Sequence, residues 1–195
     1  MASILVVCTG NICRSPVGER FIQRGLAEVM GAAAPDVVSA GTIARDGASA
    51  TPEAVAAGAE RGVDASDHVA SLLTPHMLDE AELVVTMAAE HREVAAGLSH
   101  EVARRTFTLK ELVRLLEDLP AAAPPAAPAT WRDRVAAAAA HRAAGGARNA
   151  HDEDVADPLG MSFETYQAMA WELEGWSARL VRGLVGDRVT AETEA

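Results

Sequence analysis

The chain has 195 residues, 49% of them hydrophobic, which suits a single domain with a substantial core. Its formal net charge of −11 at pH 7 disfavours nucleic acid, which needs clustered Lys and Arg, so any attraction for an anionic ligand must be local. Two cysteines, no signal-peptide pattern and no apolar span of membrane length exclude a disulfide scaffold and predict a soluble, cytoplasmic protein without membrane contact.

The run Ile4-Leu5-Val6-Val7 is short and β-branched and predicts a buried first strand. Behind it stands Cys8-Thr9-Gly10-Asn11-Ile12-Cys13-Arg14-Ser15-Pro16, where Pro16 is favoured as the first residue of a helix. Val17, Phe21, Ile22, Leu26 and Val29 carry that helix, at helical spacing, to about Gly31. Val37 to Ala40 reads as a second strand, and Thr51-Pro52-Glu53 opens a helix that ends near Gly62. Leu83 to Thr86 is a third strand, Ala88 to Ala96 a helix, and Val102 to Phe107 a fourth strand. Strands alternating with helices predict a parallel sheet covered on both faces. Phe163, Tyr166, Ala170, Leu173, Trp176, Leu180 and Leu184 form one apolar stripe, so the last element is a long helix docked on the core. Between them, Leu119 to Pro128 is too rich in proline for one helix, while Trp131 to Ala144 is a short Ala-rich helix stopped by Gly145-Gly146. The domain therefore spans 1–187 with a Pro/Ala-rich insertion at about 119–152, and 188–195 is a polar tail.

The Cys8 loop is the most informative stretch. A strand, a loop and a helix start following within a dozen residues direct backbone N–H groups and the helix N-terminus at one spot, which favours an anion there. Gly10 is expected to give the loop its conformational freedom. Arg14, five residues after Cys8, offers a planar fork to two phosphoryl oxygens, and such positive surroundings favour the thiolate form of a cysteine. Paired short spacings for a structural zinc are lacking, so no metal is expected.

The string Val7-Cys8-Thr9-Gly10-Asn11-Ile12-Cys13-Arg14-Ser15-Pro16 resembles the signature loop of the low-molecular-weight protein tyrosine phosphatases. The resemblance covers about 3–116 and 152–185 and implies an α/β fold: a four-stranded parallel sheet of order 2-1-3-4, flavodoxin-like, with helices on both faces and Cys8 at the end of the first strand. It implies a cysteine-dependent phosphomonoester hydrolase without cofactor, releasing inorganic phosphate from phosphotyrosine proteins or a small phosphate ester, as a monomer or weak dimer. On that pattern Cys8 is the nucleophile, Arg14 and the loop from Thr9 to Ser15 hold phosphate, and Ser15 steadies the thiolate. Asp157 before Pro158 matches the family's general acid, whereas Glu153 and Asp154 read as solvated loop charges. Asn11, Ser39 and His68 coincide with side chains that brace the loop, and Cys13 is the expected redox partner of Cys8.

Departures concern the pocket wall. The family usually places aromatics after Asp-Pro and near the mouth; here the wall is Thr9, Ile43, Ala44, Arg45 and Leu159, and aromatic content is 4%. Ile12 is typical of tyrosine-directed members, whereas related arginine phosphatases carry threonine there, and Ser71 replaces a common arginine. Competing classes are an arsenate reductase coupled to a small thiol, since no cysteine follows Cys13, and a non-catalytic phosphate-binding module.

Overall fold

The computed structural model describes residues 3–119, 130–146 and 153–186. The expected Pro-rich tract beyond Leu119 and the tail from 188 lie outside them. In chain order the elements are β1 (Ser3–Cys8), α1 (Arg14–Met30), β2 (Asp36–Gly41), α2 (Pro52–Ala59), α3 (Pro75–Glu80), β3 (Leu83–Thr86), α4 (Ala89–Leu98), a 3₁₀ segment (His100–Arg105), β4 (Thr106–Thr108), α5 (Leu109–Glu117), α6 (Trp131–Ala143) and α7 (Phe163–Val185). All strand pairs are parallel and their order is β2-β1-β3-β4, as expected.

Strand residues alternate between two apolar layers because successive side chains point to opposite faces. Ile4, Val6, Leu83, Val85 and Phe107 pack with α1, α5, α6 and α7. Leu5, Val7, Ala40 and Val84 pack on the other face with Leu73, Leu78, Ala95 and Val102. Burial on both sides is why β1 is a continuous apolar run rather than an alternating one. The chain winds one way from β1 to β2 and the other way to β3 and β4, so the loops after β1 and β3 diverge and leave a crevice at their carboxyl ends. Cys8 is the last residue of β1 and pairs with Gly41, the last of β2.

Two local expectations are corrected. Val102 to Arg105 is not strand: the Val102 carbonyl accepts the Thr106 hydroxyl at 2.8 Å, a local bond that takes the place of a ladder bond, and β4 is only Thr106–Thr108. Pro16 stands third in α1 instead of first, since the helix already begins at Arg14. Two short helices, α3 and α5, were not anticipated; each begins at a threonine cap, Thr74 and Thr108, whose hydroxyl accepts a third-residue N–H. The Ala-rich α6 is docked rather than loose. Trp131, Val135 and Ala138 are buried, and Arg134 donates to the carbonyls of Leu116 and Gly183, near the carboxyl ends of α5 and α7.

Candidate active site

The Cys8–Cys13 loop wraps around the amino end of α1, whose cap residue Cys13 makes no side-chain capping bond. The loop's carbonyls are held by surrounding elements: Cys8 O by Thr42 N at 2.9 Å, Thr9 O by Ile43 N at 3.0 Å, Ile12 O by Thr51 N at 2.8 Å, and Asn11 O by His68 Nε2 at 2.8 Å. This leaves the loop amides as donors for an anion. Asn11 N already lies 3.3 Å from Cys8 Sγ. The freedom expected of Gly10 is not used there, because the left-handed turn falls at Asn11, with φ of 54°. Glycine is needed at Gly41 instead, where a Cβ would meet Thr9 O at 2.6 Å and Asn11 N at 2.8 Å.

Behind the loop, Asn11 uses its whole side-chain amide. Its Nδ2 donates to Ser15 Oγ and Ser39 Oγ, each at 2.8 Å, and its Oδ1 accepts Ser71 N at 2.8 Å. Ser39 in turn donates to Glu19 at 2.6 Å. Since Ser15 Oγ accepts from Asn11, its proton is free for Cys8 Sγ, 3.0 Å away. Asn11 and Ser15 are fully buried, and loss of either would strand a polar group at about 1–3 kcal/mol. Ser71 thus reaches Asn11 through its backbone N–H.

Arg14 is almost wholly buried, and its Nη2 donates to Thr9 Oγ1 at 3.0 Å and Asp157 Oδ2 at 2.5 Å. Its Nη1 donates to Val155 O at 3.2 Å, while Nε has no partner among the described residues. Asp157 is 43% exposed, so this half-open ion pair contributes at most about 1 kcal/mol and yields readily to a phosphate held by several charge-assisted bonds. The segment before Asp157 is fixed: Val155 N donates to Met87 O at 2.8 Å, Asp154 Oδ1 caps the first N–H of α4 at Ala89 at 2.8 Å, and Lys110 Nζ donates to Asp154 O at 2.7 Å. Asp154 is the exposed charge expected, with a capping role added, while Glu153 is only half-exposed. Glu153 pairs with Arg92, and burial pushes its carboxyl above the usual range. Burial likewise pushes the Cys13 thiol up, against the lowering effect of hydrogen bonds to Thr51 and Tyr166.

Cys8, Thr9, Gly10, Ile12, Cys13, Arg14, Ile43, Arg45, Ala48, Asp157 and Leu159 line one cavity of about 360 Å³. Ala44 does not line it; Ala48 takes that place, as Ala44 turns back against Gly41. Asn11, Ser15, Ser39 and His68 stand behind the loop. Ile43 and Leu159, 74% and 55% exposed, make the mouth aliphatic. A larger cleft, about 1010 Å³, lies among α3, the 3₁₀ segment and α6 and contains none of the expected residues. One site residue escaped the sequence reading: His91, in the first turn of α4, is buried with Nε2 2.8 Å from Thr9 Oγ1. Burial first, then the charge of Arg14, lowers its pKa to about 4, so the ring is neutral at neutral pH.

The sequence profile described as low molecular weight phosphotyrosine protein phosphatase matches residues 3–121. The chain is 40% identical over 107 residues to the low molecular weight protein-tyrosine-phosphatase Etp of Escherichia coli, covering 54% of this chain and 67% of that protein. It is 32% identical to a protein-arginine-phosphatase of Bacillus subtilis over 95% of this chain and 98% of that one. Among solved structures, the Erwinia amylovora tyrosine phosphatase AmsI superposes with TM-score 0.69 at 27% identity, over 94% and 93% of the two chains. The YwlE arginine phosphatase, as a cysteine-to-serine mutant with a phosphorylated active-site serine, superposes with TM-score 0.70 at 31% identity, over 95% and 97%. Fold, loop and profile agree: the chain belongs to the low molecular weight phosphotyrosine protein phosphatase family.

Proposed function

We propose that this phosphatase hydrolyses phosphate monoesters through a cysteinyl-phosphate formed on Cys8, with phosphotyrosine in proteins or a small phosphate ester as substrate. The observation that carries the reading is the convergence of Cys8 Sγ, Arg14 and Asp157 on one cavity. Phosphate enters against the loop amides and Arg14, displacing Asp157 from the guanidinium. Cys8 attacks phosphorus while Arg14 and the amides hold the oxygens as charge shifts. Asp157 protonates the departing oxygen, then as a carboxylate takes a proton from the water that hydrolyses the thiophosphate. Ser15 Oγ donates to the sulfur as it leaves. Ile12 in the loop supports the tyrosine-directed reading; the full-length likeness to arginine phosphatases supports a second one, phosphoarginine in proteins. Phosphate release from phosphotyrosine peptide, phosphoarginine peptide and a small alkyl phosphate, measured side by side, separates these. Faster release from the tyrosine or alkyl ester supports the first reading, preference for phosphoarginine replaces it with the second, and no release from any of them refutes both.

Cys13 is proposed as the thiol that rescues Cys8 from oxidation. Peroxide converts the Cys8 thiolate to a sulfenic acid; the Cys13 sulfur then displaces hydroxide to give a disulfide, which added thiol reduces. Burial pushes the Cys13 thiol up, which disfavours its thiolate and slows direct oxidation of Cys13. After a peroxide pulse followed by dithiothreitol, wild type is expected to recover most activity and Cys13→Ala little; equal recovery refutes the role.

A further inference from the structure

His91 and Thr9 are 82 residues apart in sequence, yet their side chains meet at the pocket at 2.8 Å. Thr9 Oγ1 also receives Arg14 Nη2 at 3.0 Å. The consequence turns on which way the hydroxyl proton points, and the surroundings decide it. A neutral imidazole carries one N–H. If Nδ1 held it, a buried donor would be left without a partner among the described residues, and the bare Nε2 lone pair would face the Glu90 carboxylate at 3.4 Å. With the proton on Nε2, that N–H meets two acceptors, Thr9 Oγ1 and Glu90 Oε1. The first turn of α4, where His91 sits, presents the positive end of the helix and further disfavours a doubly protonated ring.

The Nε2–H form has a geometric result. Both lone pairs of Thr9 Oγ1 are then occupied, one by Arg14 and one by His91, and the hydroxyl's single proton is left for the cavity that Thr9 lines. We infer that Thr9 donates this proton to a phosphate oxygen of the bound substrate, and that His91 is a positioning residue that sets the direction of the donor. Thr9 thereby adds a side-chain hydrogen bond to those of Arg14 and the loop amides. The bond is charge-assisted and sits beside the arginine, so it strengthens as negative charge builds on the equatorial oxygens. The inference rests on the reading of the cavity as a phosphate site.

Inorganic phosphate as a competitive inhibitor of aryl phosphate hydrolysis is the probe. Wild type must hydrolyse the ester and bind phosphate; failure of that refutes the phosphatase reading itself, whatever Thr9 does. Given it, Thr9→Val is expected to raise the phosphate inhibition constant by about ten-fold or more, the usual weight of a hydrogen bond to a charged group, and Thr9→Ser to recover most of the loss. His91→Phe should raise it by several-fold in wild type and add little in the Thr9→Val background, while His91→Gln, which retains an N–H donor, recovers affinity. In wild type alone, ¹⁵N NMR of the imidazole should find the proton on Nε2. Unchanged phosphate affinity in Thr9→Val, equal effects of His91→Phe in both backgrounds, or a proton on Nδ1 would each overturn the inference.

Discussion

Cys8→Ser is expected to lower phosphate release from an activated aryl phosphate by on the order of 10⁴-fold or more, the scale on which removal of a covalent nucleophile acts. The reason lies in what surrounds the sulfur. Its described hydrogen-bond partners are the Asn11 N–H and the Ser15 hydroxyl, with no imidazole or carboxylate among them. These neighbours stabilise an anion but cannot remove a proton. A thiol ionises readily enough to exploit such a site, whereas a serine hydroxyl needs an adjacent base to become a nucleophile. The rest of the proposed phosphate site, Arg14 with the loop amides, does not depend on the sulfur, so inorganic phosphate should still bind to Cys8→Ser with affinity near that of wild type. Steady-state phosphate release together with calorimetric phosphate titration checks both halves. Substantial turnover by Cys8→Ser would mean that another group attacks phosphorus.

What was legible in the sequence follows from how local each signal is. The apolar run Ile4–Val7, the loop behind it and the stripe along α7 each lie within one element, so periodicity and residue type sufficed. The Thr108–Glu111 capping box was equally local and marked the start of α5, directly after the expected fourth strand, yet the sequence reading did not include that helix. The left-handed turn fell on Asn11 rather than Gly10 because Asn11 has the partners to hold it, Ser15, Ser39 and Ser71, two of which come from distant segments. His91 had no local signature at all: a single histidine on a short helix gains meaning only through Thr9, supplied by the first loop, and Arg14, the first residue of α1. Asp154 likewise acquired a capping role only when the chain returned to α4. In this fold the parallel sheet could be read from the alternation of elements and its strand order followed from the family resemblance, but contacts made across the switch point between β1 and β3 could not be read, since they join residues far apart in sequence.

Asp157→Asn is expected to act through the leaving group. General acid catalysis contributes typically ~10²–10⁴-fold, and it matters most when the departing oxygen is too basic to leave unprotonated. Phosphoenzyme formation from an alkyl or ordinary phenyl phosphate should therefore fall within that range, while a nitrophenyl ester, whose oxygen leaves readily as an anion, should lose much less. An asparagine is close in shape and can still accept the Leu159 N–H that Asp157 Oδ1 takes at 3.2 Å, so the turn should persist. What it cannot do is deliver a proton or neutralise Arg14. Glu153 and Asp154 supply the control. Asp154 caps α4, Glu153 pairs with Arg92 and neither lines the cavity, so Asp154→Asn and Glu153→Gln should change neither ester's rate by more than a few-fold. The aliphatic mouth adds a second contrast at the same turn. A phenol ring entering beside Leu159 meets an exposed aliphatic side chain, and Leu159→Tyr should lower KM for aryl phosphates by offering a ring to stack on, while an alkyl phosphate is left nearly unchanged. Pre-steady-state rates for each variant with both ester types decide between roles for Asp157. Equal loss for both esters would make it a structural residue of the turn, and a leaving-group-dependent loss in Asp154→Asn would transfer the proton to Asp154.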